Sequence, residues 1–123
     1  NNKIMIEFML NIGCTDGRHI AFRLEKDGSA HTAARGDDPG DNKKRGCFHM
    51  YQDDQNGQHD QHNYVLKYIE TAGDTNAHSY NIAVIDWGGQ GTTQITCNRS
   101  KADGDYSYES RTFSTCTLTE LAS

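Results

Sequence analysis

Residues 3–14 read KIMIEFMLNIGC. Their apolar members Ile4, Ile6, Phe8, Leu10 and Ile12 stand at every second position. A period of two is the period of a β-strand, because successive side chains point to opposite faces of a sheet. Isoleucine and phenylalanine also suit strands. The stretch therefore predicts a strand that buries one face.

The next stretch, residues 18–26, reads RHIAFRLEK and repeats this alternation. A three-residue loop at 15–17 would align the apolar faces of the two strands, and its last residue, Gly17, suits the left-handed backbone that such loops require. We therefore predict a hairpin of the two strands, followed by a similar three-residue turn at 26–28. The expected pairs are Ile12 with Ile20, Leu10 with Phe22, and Phe8 with Leu24.

Further short strands are expected along the rest of the chain, at 29–35, 47–52, 63–71, 79–87, 92–98 and within 106–121. Residues 63–71 could also form a helix, but their Tyr, Val, Ile and Thr residues favour a strand. Polar, glycine-containing loops separate the strands at 36–46 and 53–62. The pattern predicts an all-β protein: one domain, 1–123, forming an antiparallel β-sandwich or barrel of about eight strands.

The composition narrows the functional classes. Only 34% of the 123 residues are hydrophobic and the net charge is −5. Charges of both signs are mixed, which disfavours nucleic-acid binding, since that usually requires a clustered basic face. No apolar run approaches the roughly 20 residues of a membrane span. With no leader sequence in view, the chain is expected to be either cytosolic or the mature form of a secreted protein.

Four widely spaced cysteines favour secretion. Cys14, Cys47, Cys97 and Cys116 include no CxxC pair, so zinc and thioredoxin-type sites have little support. An even number in a small polar chain indicates two disulfides formed in an oxidising compartment. Cys97–Cys116 and Cys14–Cys47 are the favoured pairs and Cys14–Cys116 is their rival, with four unpaired thiols as the alternative.

Two histidines, His59 and His62, stand three residues apart in the polar stretch NGQHDQHN. A zinc site needs three or four ligands at fixed positions, and no second pair follows at a familiar spacing. We expect a solvated loop here, no metal site and no cofactor.

A ribonuclease-like acid–base cluster is one alternative, since the outward positions of the predicted strands carry suitable side chains. Its candidate members are Glu7, His19, Arg23, Glu25, His49 and Lys67. Polar outer strand faces have this composition in any case, so an enzyme is the less favoured interpretation and no catalytic residue is assigned.

Two kinds of recognition site are candidates. Arg35-Gly36-Asp37 lies in a predicted loop and matches a known adhesion tripeptide. Aromatic residues offer a stacking platform for a sugar or a partner. The aromatic candidates are Trp87, Tyr106 and Tyr108.

The polar loops, the strands rich in Thr, Tyr and Asn, and the four cysteines resemble the small secreted β-sandwich proteins of plant-associated fungi. That group includes the ToxA-type host-selective toxins and the allergen-like proteins of Alternaria. ToxA-type toxins also carry an Arg-Gly-Asp loop, whereas Arg35-Gly36-Asp37 lies early in this chain. The resemblance implies a secreted, non-enzymatic effector or toxin that contributes to virulence by binding a host protein.

Three functional hypotheses follow. The leading one is such an effector, a monomer whose loops bind a host protein or a cell-surface receptor. The second is a small secreted hydrolase such as a ribonuclease, the one hypothesis under which nucleic acid would be a partner. The third is a carbohydrate-binding module whose partner is a glycan.

Overall fold

A computed structural model describes residues 2–14, 18–38, 40, 45–52, 59–86, 94–107 and 109–122. These residues form antiparallel strands and one 3-10 turn, Thr32–Ala34, so the predicted all-β class is confirmed. No helix in this part of the chain is long and apolar enough to cross a membrane. The strands are β1 (Lys3–Cys14), β2 (Arg18–Lys26), β3 (Ser29–Ala30), β4 (Phe48–Gln52), β5 (His62–Thr71), β6 (Tyr80–Asp86), β7 (Ile95–Cys97) and β8 (Thr115–Leu121).

The strands form two four-stranded sheets, each built around one long strand. In sheet A, β1 is central: β5 pairs along one edge, and β7 and β8 pair with different parts of the other edge. In sheet B, β2 is central: β6 pairs along one edge, and β3 and β4 share the other. Each central strand therefore has three partners.

The buried core contains side chains from both sheets. The alternating apolar residues of β1 and of β2 form the buried face of each strand, as predicted. Burial of each large apolar side chain contributes about 1.5–3 kcal/mol. One cluster consists of Ile12, Cys14, Ile20, Phe22 and Met50, and the other of Ile6, Phe8, Leu24 and Ala34.

The predicted hairpin of β1 and β2 is wrong. The two strands belong to different sheets, and β2 forms its hydrogen bonds with β3, β4 and β6. Ile12 pairs with His62 and Cys97 across sheet A, and Phe22 pairs with Phe48 and Val84 across sheet B. Alternation identifies the buried face of a strand but not its lateral neighbour, so it fits contact across a core as well as pairing within a sheet. The loop at 15–17 lies outside the described residues.

The turn after β2 is tighter than predicted. Lys26 pairs with Ser29, which leaves only Asp27 and Gly28 in the loop. Their φ angles are 52° and 75°. A two-residue loop with both residues in the left-handed region is a type I′ turn, whose twist matches that of the flanking strands. The third strand is correspondingly shorter than predicted, because β3 ends at Ala30 and the 3-10 turn follows.

No disulfide joins the four cysteines, all of which lie in the described part of the chain. The predicted disulfides are therefore wrong for this fold, and the register of sheet A explains two of them. Cys97 pairs with Ile12 and Cys116 with Phe8, so the two cysteines lie four residues of β1 apart. That separation is about 13 Å, whereas the Cα atoms of a disulfide lie within about 7 Å of each other. Cys14 is farther still from Cys116.

The remaining predicted pair, Cys14–Cys47, is also not bonded. Cys14 belongs to the cluster around Phe22, and Cys47 packs against that cluster. The Cys47 thiol donates a hydrogen bond to the Phe22 carbonyl oxygen at 3.2 Å. Burial raises the pKa of the Cys47 thiol, which disfavours the thiolate through which disulfides form.

Glu70 of β5 connects sheet A to polar groups that belong to or flank sheet B. One carboxylate oxygen accepts hydrogen bonds from Lys26 Nζ at 2.8 Å and from the Tyr80 hydroxyl, and the other lies 2.7 Å from His31 Nε2. Burial raises the pKa of Glu70, but the hydrogen bonds from His31, Lys26 and Tyr80 outweigh burial and lower it to about 2. The ionised carboxylate therefore stabilises the folded state.

Phe22→Ala is expected to lower the free energy of unfolding by about 3–5 kcal/mol, because it leaves a cavity in the core. The control is Val65→Ala on the outer side of β5, where the residue is 65% exposed and the loss should stay below about 1 kcal/mol. Urea unfolding measures both. Equal losses would contradict the assignment of the buried face.

Glu70→Gln is expected to destabilise the protein by about 2–3 kcal/mol at pH 7, since the amide cannot replace the carboxylate in its ion pairs. Because the pKa of Glu70 is lower in the folded protein than in the unfolded chain, its carboxylate stabilises the fold at pH values above the unfolded pKa. This stabilisation is lost as the pH falls. The difference between wild type and variant should therefore shrink from about pH 5 downwards and close near pH 2. Unfolding at a series of pH values measures it, with Glu120→Gln on β8 as control. A gap that is independent of pH would refute the network's role.

Candidate functional site

The loop between β7 and β8 folds back on itself and forms the candidate site. Arg99 and Arg111 face each other in an isolated antiparallel bridge, and the Thr112 N–H donates to the Asn98 carbonyl oxygen at 2.9 Å. Asn98 and Asp103 have positive φ angles of 66° and 49°. Among residues other than glycine, Asn and Asp adopt this region most readily. The polar residues of the loop thus permit its tight reversal.

Two arginines hold the Asp103 carboxylate. Arg99 Nη1 lies 2.6 Å from Asp103 Oδ2. Arg111 Nη2 lies 2.8 Å from Oδ1 and 2.9 Å from Oδ2 of the same carboxylate. Contacts from one guanidinium to both oxygens give directional as well as electrostatic stabilisation. This clamp, formed by Arg99, Asp103 and Arg111, links the two sides of the loop.

Beside the clamp, the loop encloses a cavity of about 260 Å³, here called the Glu109 cavity. The ring of Tyr106 lies against the backbone of Gly104, where a Cβ atom would come within 2.8 Å of two ring carbons. Tyr106 nevertheless remains 57% exposed. Glycine at 104 therefore allows the aromatic ring to approach the backbone closely. The lining consists of Asp103, Gly104, Asp105, Tyr106, Glu109, Ser110 and Arg111.

Glu109 is the buried polar group of the cavity, with a side chain only 4% exposed. Its Oε1 atom makes a short contact with His59 Nδ1, and the His59 ring lies edge-on to Tyr106. Its Oε2 atom is buried and has no hydrogen-bond partner in the described part of the chain. Buried polar atoms in proteins are nearly always hydrogen-bonded. Glu109, which lines the cavity, therefore carries an unsatisfied acceptor.

The charge of the lining selects among ligands. Asp103, Asp105 and Glu109 supply three carboxylates, against one guanidinium from Arg111 that already binds Asp103. A cavity lined in this way repels phosphates and other anions. It can accept hydrogen bonds from hydroxyl, amide or ammonium groups. The exposed ring of Tyr106 adds an apolar surface beside these acceptors.

The two histidines of the NGQHDQHN stretch separate in space. His59 contacts Glu109, whereas His62 begins β5 and pairs with Ile12 of β1. No group of three or more His, Cys, Asp or Glu side chains among the described residues is arranged to hold a metal ion. The polar loop that precedes His59 falls on residues 53–58, outside the described residues.

Of the aromatic residues predicted to stack, Tyr106 lies in the Glu109 cavity, and Trp87 and Tyr108 lie outside the described residues. In the Arg35-Gly36-Asp37 tripeptide, Asp37 is exposed, but the Arg35 side chain is half-buried and its Nε atom is buried. The Gly36 N–H donates to the carbonyl oxygen of residue 46 at 3.1 Å. This tripeptide is therefore anchored at its backbone.

The acid–base candidates do not converge. Glu7 and Lys67 form an ion pair on sheet A at 3.3 Å. Arg23 and Glu25 pair on sheet B at 2.6 Å. The remaining two, His19 and His49, meet elsewhere on sheet B. Four of the six, Glu7, His19, Arg23 and Glu25, were grouped on the assumption of a β1–β2 hairpin, and Glu7 is separated from the others because the two strands lie in different sheets.

Sequence reasoning missed Glu109 and Asp103. Both lie in an irregular polar segment with no alternation and no metal-ligand spacing. The one usable signal was Asp103-Gly104, a turn-forming pair that marks where the chain reverses. Contact between Glu109 and His59, fifty positions apart, depends on the tertiary fold.

Glu109→Met is expected to leave the free energy of unfolding within about 1 kcal/mol of wild type, or to raise it. The reason is that a buried carboxylate with an unsatisfied oxygen carries an uncompensated desolvation cost, which an apolar side chain of similar size removes. Urea unfolding measures the effect, and Glu70→Met, which removes a satisfied carboxylate, is the comparison. A loss above about 2 kcal/mol at Glu109 would mean that the carboxylate is structural.

Comparisons with known proteins give no relative from which a function of the Glu109 cavity could be inferred. No family model, no curated protein and no solved structure matches this chain.

Proposed function

We propose that this protein is a non-enzymatic binding protein that takes a neutral sugar ring of a glycan into the Glu109 cavity. The observation that carries the proposal is the buried, unsatisfied Oε2 atom of Glu109 beside the exposed ring of Tyr106. A sugar hydroxyl would donate to this oxygen. Satisfying a buried acceptor in this way contributes more to binding than a hydrogen bond at the surface does.

The aromatic ring supports the same ligand class. One face of a sugar ring is lined by C–H groups, and an exposed tyrosine offers the flat apolar surface on which such a face can stack. Tyr106 lies against the backbone at Gly104 and meets the His59 ring at an angle of 86°. A ring held in advance loses little conformational entropy when a ligand binds.

The size of the cavity favours one sugar ring over a larger ligand. Its volume of about 260 Å³ lies below the range of about 300–1,000 Å³ that is usual for drug-sized molecules. The rest of a glycan chain would extend into solvent. Weak binding of a single ring is the expected mode.

Binding is favoured over catalysis by the way the charges are arranged. Hydrolysis of a phosphodiester or an ester needs a cation or a set of N–H groups for the developing negative charge. In the described lining, the guanidinium of Arg111 is committed to Asp103. The surplus of carboxylates also disfavours RNA, and with it the ribonuclease hypothesis.

The wider proposal places this cavity on a β-sandwich formed by the two sheets. The predicted partner is a host protein or receptor, and the part of it that would fit the cavity is an attached glycan. Secretion and a role as an effector remain predictions from composition and resemblance. The predicted disulfides, which were the argument for secretion, do not form in this fold. The Arg35-Gly36-Asp37 loop is a less favoured site, because Arg35 is half-buried.

The test is binding of the purified protein to an array of neutral, amino-substituted and acidic glycans, followed by titration of the best ligand. Neutral glycans should bind, and sialylated or phosphorylated ones should not. Glu109→Gln and Tyr106→Ala should each weaken binding by about tenfold or more, as expected for loss of a charged hydrogen bond or a stacking contact.

The controls are Glu120→Gln and Tyr51→Ala, a carboxylate and an exposed tyrosine away from the cavity. They should bind like wild type. A preference for acidic glycans, or equal losses in controls and cavity variants, would contradict the proposed site. Release of new reducing ends from the bound glycan would instead contradict the non-enzymatic part of the proposal.

A further inference from the structure

The buried face of sheet A is incompletely covered at β8. The register places Cys116 beside Phe8 and Leu118 beside Ile6 of β1. Directly paired side chains lie on the same face of a sheet, so Cys116 and Leu118 belong to the face that is buried on β1. Ile6 is fully buried, yet Leu118 is 51% exposed and Cys116 is exposed as well. Apolar side chains of the core face therefore reach solvent at this edge.

Sheet B has the same feature at β6. Val84 pairs with Phe22 of β2 and so shares its face, but Val84 is 44% exposed whereas Phe22 is buried. Val84 and Cys116 line one cavity of about 390 Å³, here called the intersheet cavity, to which both sheets contribute. This volume lies within the range of about 300–1,000 Å³ that is usual for small-molecule sites. Its described lining shares no residue with the Glu109 cavity.

The intersheet cavity is long and mainly apolar. On β1 its lining runs from Phe8 through Leu10 to Ile12, which is about 13 Å of strand. On β6 it runs over a similar length, from Tyr80 to Val84. An apolar cavity of only about 150 Å³ stays dry and binds benzene. The larger and longer intersheet cavity therefore has room for a hydrocarbon chain.

The polar groups of the lining select an uncharged ligand. Among the described lining residues, none carries a charged side chain. The Tyr80 hydroxyl donates to Glu70, and Asn81 Nδ2 donates to Glu25 at 2.9 Å, so both donors are already used within the protein. The remaining lining side chains are apolar or are thiols, which behave as small apolar groups. A charged ligand group would lose its hydration here without gaining a partner.

We propose that the intersheet cavity binds the hydrocarbon chain of a small uncharged lipid, such as a fatty alcohol. The chain would lie along β1 and cover Val84 and Cys116, the exposed apolar side chains of the lining. Affinity would come from burial of the chain, and each buried CH₂ group strengthens binding about fourfold. This site is separate from the proposed glycan site, and either can fail without the other.

The test is binding of N-phenyl-1-naphthylamine, an uncharged dye that fluoresces in apolar surroundings, followed by its displacement with alcohols of increasing chain length. One dye molecule should bind each protein molecule. From hexanol through octanol to decanol, the Kd should fall about fourfold for each added CH₂ group. Decanoate should displace the dye less well than decanol, because its charge finds no cation in the described lining.

Variants that fill the cavity provide the second part of the test. Val84→Phe and Cys116→Phe should each weaken binding of the dye and of decanol at least tenfold. Val65→Phe adds the same side chain on the outer side of sheet A, where Val65 is 65% exposed, and should bind like wild type. Tm values within a few degrees of wild type would show that the variants fold.

The cysteines of the wild-type protein give a readout that needs no substitution. Decanol should slow alkylation of Cys97 and Cys116, which line the cavity, and leave the rate at Cys47 unchanged, as measured by mass spectrometry of peptides. Absence of saturable dye binding, equal binding by the Cys116→Phe and Val65→Phe variants, or unprotected cysteines would overturn the proposal. A dimer in sedimentation that Cys116→Phe dissociates would also overturn it, since a second copy would then cover the cavity.

Discussion

β1 and β2 are the central strands of the two sheets, and the side chains on their inner faces are buried in shared clusters. Each of the other six strands pairs with one of these two strands. Ile12 and Phe22 belong to one cluster although their strands are hydrogen-bonded in different sheets. A shift of β1 by one residue would turn Met5, Glu7 and Met9 towards the core. Because β5, β7 and β8 take their register from β1, such a shift would also displace every strand of sheet A. Contact between the inner faces of β1 and β2 therefore constrains the whole architecture.

Local sequence predicted the elements better than their arrangement. Alternation identified β1 and β2, and β-favouring residues identified β5, nearly to the residue, because both signals depend on the strand's own backbone and side chains. Alternation could not identify which strands pair. Ile12 pairs with residues 62 and 97, and the long connecting segments do not fix which later strand lies beside β1. Likewise, Tyr106 was a candidate because aromatic residues are rare and informative. Glu109 was not, because one acidic residue in a polar loop has no distinguishing pattern.

Glu70 and Glu109 are two buried carboxylates that differ in how fully their oxygens are hydrogen-bonded. Both are largely buried, at 11% and 4% exposure of the side chain. Both Glu70 oxygens have partners, and the pKa of Glu70 falls to about 2. Within the described part of the chain, one oxygen of Glu109 has a partner and the other has none. A folded chain gains stability by completing such a set, and the incomplete set at Glu109 is the observation on which the proposed binding site rests.

Distance along the chain is a poor guide to which histidines act together. His59 and His62 stand three residues apart, yet one contacts Glu109 and the other begins a strand and pairs with Ile12. His19 and His49 are separated by a polar loop, yet pairing of β2 with β4 brings their nitrogens to 3.3 Å. In an antiparallel sheet, diagonal neighbours on one face are closer than most residues a few positions apart in a loop. In an all-β chain, the register between strands therefore decides which side chains meet.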